Sequence, residues 1–334
     1  MKKAVDQIAQ KFLESRRIAV TSHLRPDGDS ICTGLALYFM GKSLGKEIAV
    51  INKDRTPIPF NHFPDMENIT IGLIPADQFD TVILLECANV SRSGQSHLKD
   101  IFTINIDHHH SNDYYADINW VDPDAPAVAC MAYELANKLG IDFTPQISNH
   151  LYCGIVSDTG SFQFSNTKAQ AFELSYKLTL HGASPIKISE LLFNNNSPEK
   201  IKLLGRVLAT LKMNEKGTIA IITMFKKDMA ELNLKEIDTE DITTQARSIR
   251  GVEIVLFFKE IEKDKFRVSL RSKGAANSAM VAEHFGGGGH VHAAGFTATG
   301  PYEQLVETIP QTVEKLITKL SGISSSQSGE IQKT

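Results

Sequence analysis

Three short apolar runs, RRIAVTSH (16–23), FDTVILLEC (79–87) and IFTINID (101–107), carry His23, Glu86 and Asp107 at or beside their C-terminal ends. Their length and β-branched content read as strands buried on both faces, and KEIAVIN (46–52) reads as a fourth. Strands of that kind need crossover helices, and ICTGLALYFMGKSLG (31–45), closed by Gly45, supplies one. The predicted core is therefore a parallel sheet covered by helices on both sides. Sheets of this type bind ligands beyond the carboxyl ends of their strands, so a single rim receives His23, Glu86 and Asp107.

Downstream, APAVACMAYELANKLG (125–140), PQISNHLYCGIVSD (145–158) and KAQAFELSYKLTLHG (168–182) read as helices. Ser184 and Ser197, each followed by proline, start two more that lead to a second domain near Gly217. That domain shows strands at GTIAIITMF (217–225), VEIVLFFKEI (252–261) and KFRVSLRS (265–272). A helix NSAMVAEHF (277–285), four glycines, a strand near AAGFTATG and a helix from Tyr302 to about Leu320 complete it. The expected organisation is an α/β parallel-sheet domain over 1–190, a helical linker over 191–216, and a smaller α+β domain over 217–320. The polar remainder, 321–334, reads as disordered.

After the first strand, HLRPDGDS places His23, Asp27 and Asp29 on one short turn, with Pro26 and Gly28 bending the backbone so the carboxylates converge. The strand IFTINID (101–107) runs into Asp107, His108 and His109, and Asp158 stands where a helix runs out in VSDTGSF. Taken singly these are an acidic turn, a solvated histidine loop, a strand end and a helix end. Their joint occurrence at corresponding strand ends points elsewhere. Carboxylates crowded on one rim repel unless cations neutralise them, and oxygen donors mixed with imidazole suit manganese. Two such ions roughly 3.5–4 Å apart are a standard apparatus for phosphate ester hydrolysis. His62, His97, His150 and His181 lack such company and receive no role.

The pattern H-x-x-x-D-x-D, an acidic strand end, D-H-H and a later D-T-G resembles the DHH phosphoesterase superfamily. SLRSKG and FGGGGHVHAAGF are similar to its DHH-associated C-terminal domain, and the order and size of the chain resemble the NrnA-type oligoribonuclease and pAp phosphatase branch. The resemblance covers roughly residues 5–320. It implies that His23, Asp27 and Glu86 bind one manganese ion, and that Asp29, Glu86, His108 and Asp158 bind the other. Asp107 would then orient a histidine ligand, and His109 would face the scissile phosphate. Glu86 stands where the family usually has aspartate, one methylene longer. Arg92 matches a family arginine and would pair with a carboxylate or phosphate. Arg271 would clamp phosphate, Gly286, Gly287, Gly288 and Gly289 would wrap it with backbone amides, and His290 would reach toward the metals.

The expected substrates are very short RNA and pAp, with a cyclic dinucleotide or linear pApA phosphodiesterase as the rival enzyme. An inactive nucleotide-binding sensor is the rival of another class, with Glu86 its only hint. A net charge of −4 and the lack of a lysine- or arginine-rich stripe argue against binding to long duplex nucleic acid. They also imply that nucleotides beyond the first pair gain nothing. No apolar run suits a membrane span or a signal segment, so a cytoplasmic location is expected. The four cysteines are far apart, without a metal or redox spacing. A homodimer is left open.

Overall fold

The computed structural model describes residues 2–58, 60–95, 97–235 and 239–327, apart from the side chains of 2, 240, 290 and 318–327. The chain divides into two compact units, Met1–Asn195 and Asn196–Thr334. The first begins with helix α1 (Lys2–Glu14), strand β1 (Arg17–Ser22), α2 (Gly28–Ser43), β2 (Glu47–Asn52) and β3 (Ile69–Ile71). It continues with β4 (Thr81–Leu85), β5 (Phe102–Asp107) and β6 (Ile118–Val121), then α3 (Val128–Lys138), α4 (Pro145–Asp158), α5 (Ala169–Leu180) and α6 (Pro185–Phe193).

All strands of this sheet are parallel, in the order β3-β2-β1-β4-β5-β6. The strands read from sequence are its four central members. At the edges, β3 and β6 are too short for their periodicity to register. The chain winds one way through β1, β2 and β3 and the other way through β4, β5 and β6. The crevice beyond the carboxyl ends of β1 and β4 is therefore the topological switch point, the place where such sheets take a ligand.

Helix α2 is buried on most of its circumference, including Ile31, Cys32, Leu35, Ala36, Leu37 and Met40, because it is packed by the sheet and also by α4. Two glycines permit that approach. Gly28 is the first residue of α2, outside the left-handed region. Its role differs from the bend read in the sequence, since a Cβ there would collide with Phe60 and the Ser157 hydroxyl. A Cβ on Gly154 of α4 would lie 2.6 Å from Asp29 Oδ1 and 2.8 Å from Ala129 Cβ. All four cysteines are free and buried.

The second unit contains α7 (Pro198–Ala209), β7 (Lys212–Met213), β8 (Ile219–Met224), α8 (Lys226–Glu231), α9 (Glu240–Arg247), β9 (Ile254–Glu262) and β10 (Lys265–Ser272). After these come α10 (Ser278–His284), β11 (Gly288–His290), β12 (Ala293–Thr299) and α11 (Tyr302–Gln327). The sheet runs β11-β12-β10-β9-β8-β7, antiparallel except between β8 and β9. One face packs Phe258, Phe266, Val268 and Leu270 against Val281 of α10 and Ile309 and Val313 of α11. On the other, Val255 and Phe257 meet Leu203 and Val207 of α7 and Ile242 and Ala246 of α9. Helix α7, inside the stretch read as a linker, is thus built into this core. Helix α11 extends through Gln327, past the expected end at Leu320, while 328–334 of the expected tail lie outside the described residues. No described helix is long and apolar enough to cross a membrane.

Candidate metal centre

His23 follows β1 directly. Its Nδ1 donates to the Leu24 carbonyl at 2.8 Å, which fixes the tautomer and leaves Nε2 with its lone pair. That Nε2 stands 3.5 Å from Asp27 Oδ2 and 3.8 Å from Glu86 Oε2. His108 repeats the device: Nδ1 donates to the Ala125 carbonyl at 3.1 Å, and Nε2 stands 3.8 Å from Asp158 Oδ2. These separations exceed an ordinary hydrogen bond, as expected of donors arranged around a shared cation. His23, Asp27 and Glu86 each offer a ligand atom within 4.8 Å of the others.

Asp27 caps the N-terminus of α2, accepting from Ser30 N at 3.0 Å, while the Ser30 hydroxyl accepts from Asp27 N at 3.2 Å. Glu86 is the most telling residue. It sits in the left-handed region at φ 55°, which costs a non-glycine residue on the order of 1–3 kcal/mol. Its side chain is buried, and among the described residues Oε1 has no hydrogen-bond partner. A strained, buried carboxylate with one oxygen unpartnered, beside three other carboxyl groups, calls for compensating positive charge.

The titration behaviour follows. Burial, and then the charges of Asp27, Asp29 and Asp158, push the Glu86 carboxyl well above the carboxylate range. Burial and the Asp29 charge raise Asp158 to about 7, against the opposing pull of His108. Burial also raises Asp29. Burial alone would lower His23 and His108, but Asp27 holds the first up and Asp158 and Asp29 the second. These residues fit a cationic group.

Asp29 has a second duty that the sequence concealed. Oδ2 accepts from Val128 N at 2.5 Å and Oδ1 from Ala129 N at 3.0 Å, and the Thr33 hydroxyl donates to Oδ1 at 2.9 Å. Asp29 therefore caps α3, whose own N-cap, Ala127, has no side chain able to do so.

The role expected of Asp107 needs correcting. Its Oδ1 accepts from His109 Nδ1 at 2.6 Å and from the backbone amides of His108 and His109, so it orients His109. His108 is oriented by the Ala125 carbonyl instead. Buried Asn112 donates to Asp107 Oδ2 at 2.5 Å and to Asn105 Oδ1 at 2.8 Å, which braces that carboxylate. Asn166 likewise donates to Asp158 Oδ2 at 3.0 Å. Neither asparagine stands out in sequence, because bracing groups share no spacing rule with the ligands they hold. His150, given no role, ion-pairs with Asp65 at 2.8 Å, and although burial opposes it, Asp65 and Cys32 hold its pKa up at about 9.

Arg92 lies half-buried on a short turn after β4, and its carbonyl accepts from Leu24 N at 2.6 Å. No carboxylate among the described residues forms an ion pair with it.

In the second unit, Arg271 is half-buried at the end of β10, its Nη1 donating to the Leu270 carbonyl at 3.0 Å. The glycine run differs from the exposed amide loop predicted. Gly286 N donates to the Glu283 carbonyl at 2.9 Å and Gly287 N to the Ala282 carbonyl at 2.8 Å, closing α10, and Gly288 and Gly289 enter β11. Those first two amides are engaged by helix carbonyls and unavailable to a ligand. The backbone of His290 lies in β11, and its side chain lies outside the described residues.

A pH dependence follows for the metal-free chain. With Glu86 and Asp158 raised in the folded state, the fold binds more protons than the unfolded chain between about pH 4 and the raised values. Stability must then fall as pH rises through that window. The melting temperature of chelator-treated protein is expected to drop by several °C between about pH 5 and 8, at roughly 2–4 °C per kcal/mol. Saturating divalent cation should cancel the drop; an identical slope with and without cation would contradict the account.

The sequence matches the DHH family, N-terminal domain, over residues 17–155 and the DHHA1 domain over 217–319. A bifunctional oligoribonuclease and PAP phosphatase NrnA of Thermus thermophilus is 30% identical over 304 residues, 90% of each chain. The protein so named in Bacillus subtilis is 29% identical, covering 83% of this chain and 88% of that one. An exopolyphosphatase-related protein of Bacteroides fragilis shares the fold, with a TM-score of 0.88, 24% identity, and 96% and 98% of the two chains covered. With both domains matched in order and one relative alike along nine-tenths of its length, the chain belongs to the DHH family, as a two-domain member with a C-terminal DHHA1 domain.

Proposed function

We propose that this protein is a manganese-dependent phosphoric ester hydrolase that degrades very short RNA to mononucleotides and removes the 3′-phosphate of pAp. One observation carries the reading: two histidines, each aiming Nε2 at a carboxylate, meet four mutually repelling carboxyl groups, one of them strained and with an unpartnered oxygen, at the switch point of a parallel sheet. The names of the relatives supply the substrate class.

His23, Asp27 and Glu86 would hold one ion, and Asp29, Glu86, His108 and Asp158 the other, with Glu86 shared. Bound there, the pair would neutralise phosphoryl charge and activate water. The chain's own groups do the rest. Asp107, braced by Asn112, holds His109 through Nδ1 and leaves Nε2 to stabilise charge on the phosphoryl group or protonate the leaving oxygen. Arg92 takes a phosphate oxygen that no carboxylate competes for. Arg271 selects substrate from the second unit, and its replacement by alanine is expected to weaken dinucleotide hydrolysis by about 1.5–3 kcal/mol. A nitrophenyl phosphodiester should suffer much less; equal loss on both would remove the selecting role.

The intact constellation disfavours an inactive sensor. The test is a product time course on pAp, pApA, cyclic di-AMP and RNA of two to twenty nucleotides with manganese. Mononucleotides from the shortest RNA, with phosphate from pAp, support the proposal; turnover of cyclic di-AMP alone transfers it to the rival enzyme, and binding without turnover to the sensor.

A further inference from the structure

Strands β2 and β3 are parallel neighbours, and such neighbours are ordinarily joined through a helix that covers the sheet. Their connection instead holds two short 3₁₀ turns, Phe60–His62 and Met66–Asn68, and is fixed to the two backbones that carry the proposed ligands. Where it leaves β2, Asn52 Oδ1 accepts from the amide and the hydroxyl of Ser22, the residue before His23, at 3.0 and 3.1 Å. Asp54 Oδ2 then accepts from the Arg25 amide at 2.8 Å. Arg25 lies between His23 and Asp27 with φ 54°, a left-handed backbone that a non-glycine residue keeps only where its surroundings enforce it. Next, the Phe60 ring fills the space over Gly28, one residue past Asp27, beside the hydroxyl of Ser157, one residue before Asp158. A Cβ on Gly28 would lie 2.2 Å from Phe60 Cζ and 2.2 Å from Ser157 Oγ. Phe60 therefore stands where the start of α2 meets the end of α4, between neighbours of ligands assigned to different ions.

The far end of the connection is anchored on α4. Phe60 neighbours Phe63, with ring centres 6.4 Å apart, and Phe63 neighbours buried His150 at 6.3 Å. The His150 ring also stacks on Phe39 of α2 at 5.8 Å, which ties the two helices together behind Phe60. His150 Nε2 pairs with Asp65 at 2.8 Å, and Gln146 Nε2 donates to the other Asp65 oxygen at 2.8 Å. Asp65 is itself left-handed at φ 68°. Strained residues at Arg25 and Asp65, with an ion pair to a buried histidine, are a costly way to close a surface connection unless its middle has to be held in place.

We propose that this connection is a strap and Phe60 its positioning residue: wedged against Gly28 and Ser157, the ring sets how far the turn bearing His23 and Asp27 stands from Asp158, and so preorganises the rim for a pair of divalent cations. Phe60 acts through the backbones beside it. The inference rests on the metal reading of the rim and deepens it. It also gives His150 a task, that of holding the strap down through Asp65.

The test compares the full-length chain with Phe60→Ala, Phe60→Leu, Asp54→Ala and a control, Val5→Ala, which removes buried bulk from α1 where that helix packs on α3 and β6. Manganese affinity is measured by calorimetric titration. Amide exchange of the metal-free chains is followed in peptides covering 22–31 and 153–161. Phe60→Ala is expected to weaken manganese binding about tenfold or more, Phe60→Leu to restore it to within about threefold, and Asp54→Ala to fall between them. Exchange should quicken in both peptides for Phe60→Ala and in the 22–31 peptide alone for Asp54→Ala. Val5→Ala should lower the melting temperature and leave both readouts where they were. Unchanged affinity in Phe60→Ala, or an equal loss in Val5→Ala, would overturn the positioning role. Where Phe60→Ala does not fold, Asp54→Ala decides, and unchanged affinity and exchange in it would overturn the strap. If the unsubstituted chain binds no manganese, the metal reading falls, and exchange alone decides the strap: equal rates at the rim with and without Phe60 would end it.

Discussion

Glu86→Gln is expected to cut turnover about a thousandfold while raising the melting temperature of the metal-free chain. Both effects come from one charge. With cations bound, an anion at position 86 neutralises two centres at once, and its loss removes several kcal/mol of charge stabilisation, at 1.36 kcal/mol per tenfold in rate. Without cations the same carboxylate is buried, has one oxygen unpartnered and is crowded by Asp27, Asp29 and Asp158, so a neutral amide of equal size relieves the fold. Glu86→Asp keeps the charge and should be mild in turnover. Thermal melts in chelator paired with steady-state kinetics in manganese check the pair of signs. A Gln variant that is equally active, or less stable when metal-free, would show that Glu86 is not the shared ligand.

Asp29→Ala should differ from Asp158→Ala, although both remove a proposed ligand and both should abolish turnover. Loss of the Asp29 carboxylate strands two amides at the start of α3, where Ala127 offers no replacement. Two buried donors without partners cost about 1–3 kcal/mol each, so the metal-free melting temperature should fall by about 10 °C. Asp158, held by Asn166 near the surface of the site, carries no such duty, and its removal should leave the melt unchanged or slightly higher. Equal melts for the two variants would contradict the capping role.

These two aspartates show what the sequence could and could not tell. Strands ending on His23, Glu86 and Asp107 were visible because apolar runs are local and the chemistry sits at their ends. The capping by Asp29 of a helix 99 residues away was not, because only tertiary packing brings α2 to α3. The partner of Asp107 was misread for a related reason: adjacent His108 and His109 are equivalent in spacing, and the turn decides which Nδ1 meets the carboxylate. Gly28 looked like turn chemistry and proved to be a packing contact, while the left-handed backbone of Glu86, a non-glycine residue, left no trace in composition. The glycine run was seen, but not that its first two amides close α10.

The most direct test of the central claim is hydrolysis of an RNA dinucleotide by metal-stripped protein as manganese is added back. No turnover is expected at the start, with recovery that saturates near two equivalents per chain. Full turnover after verified stripping, or none at any manganese concentration, would contradict the assignment of this rim as a metal-dependent phosphoester site.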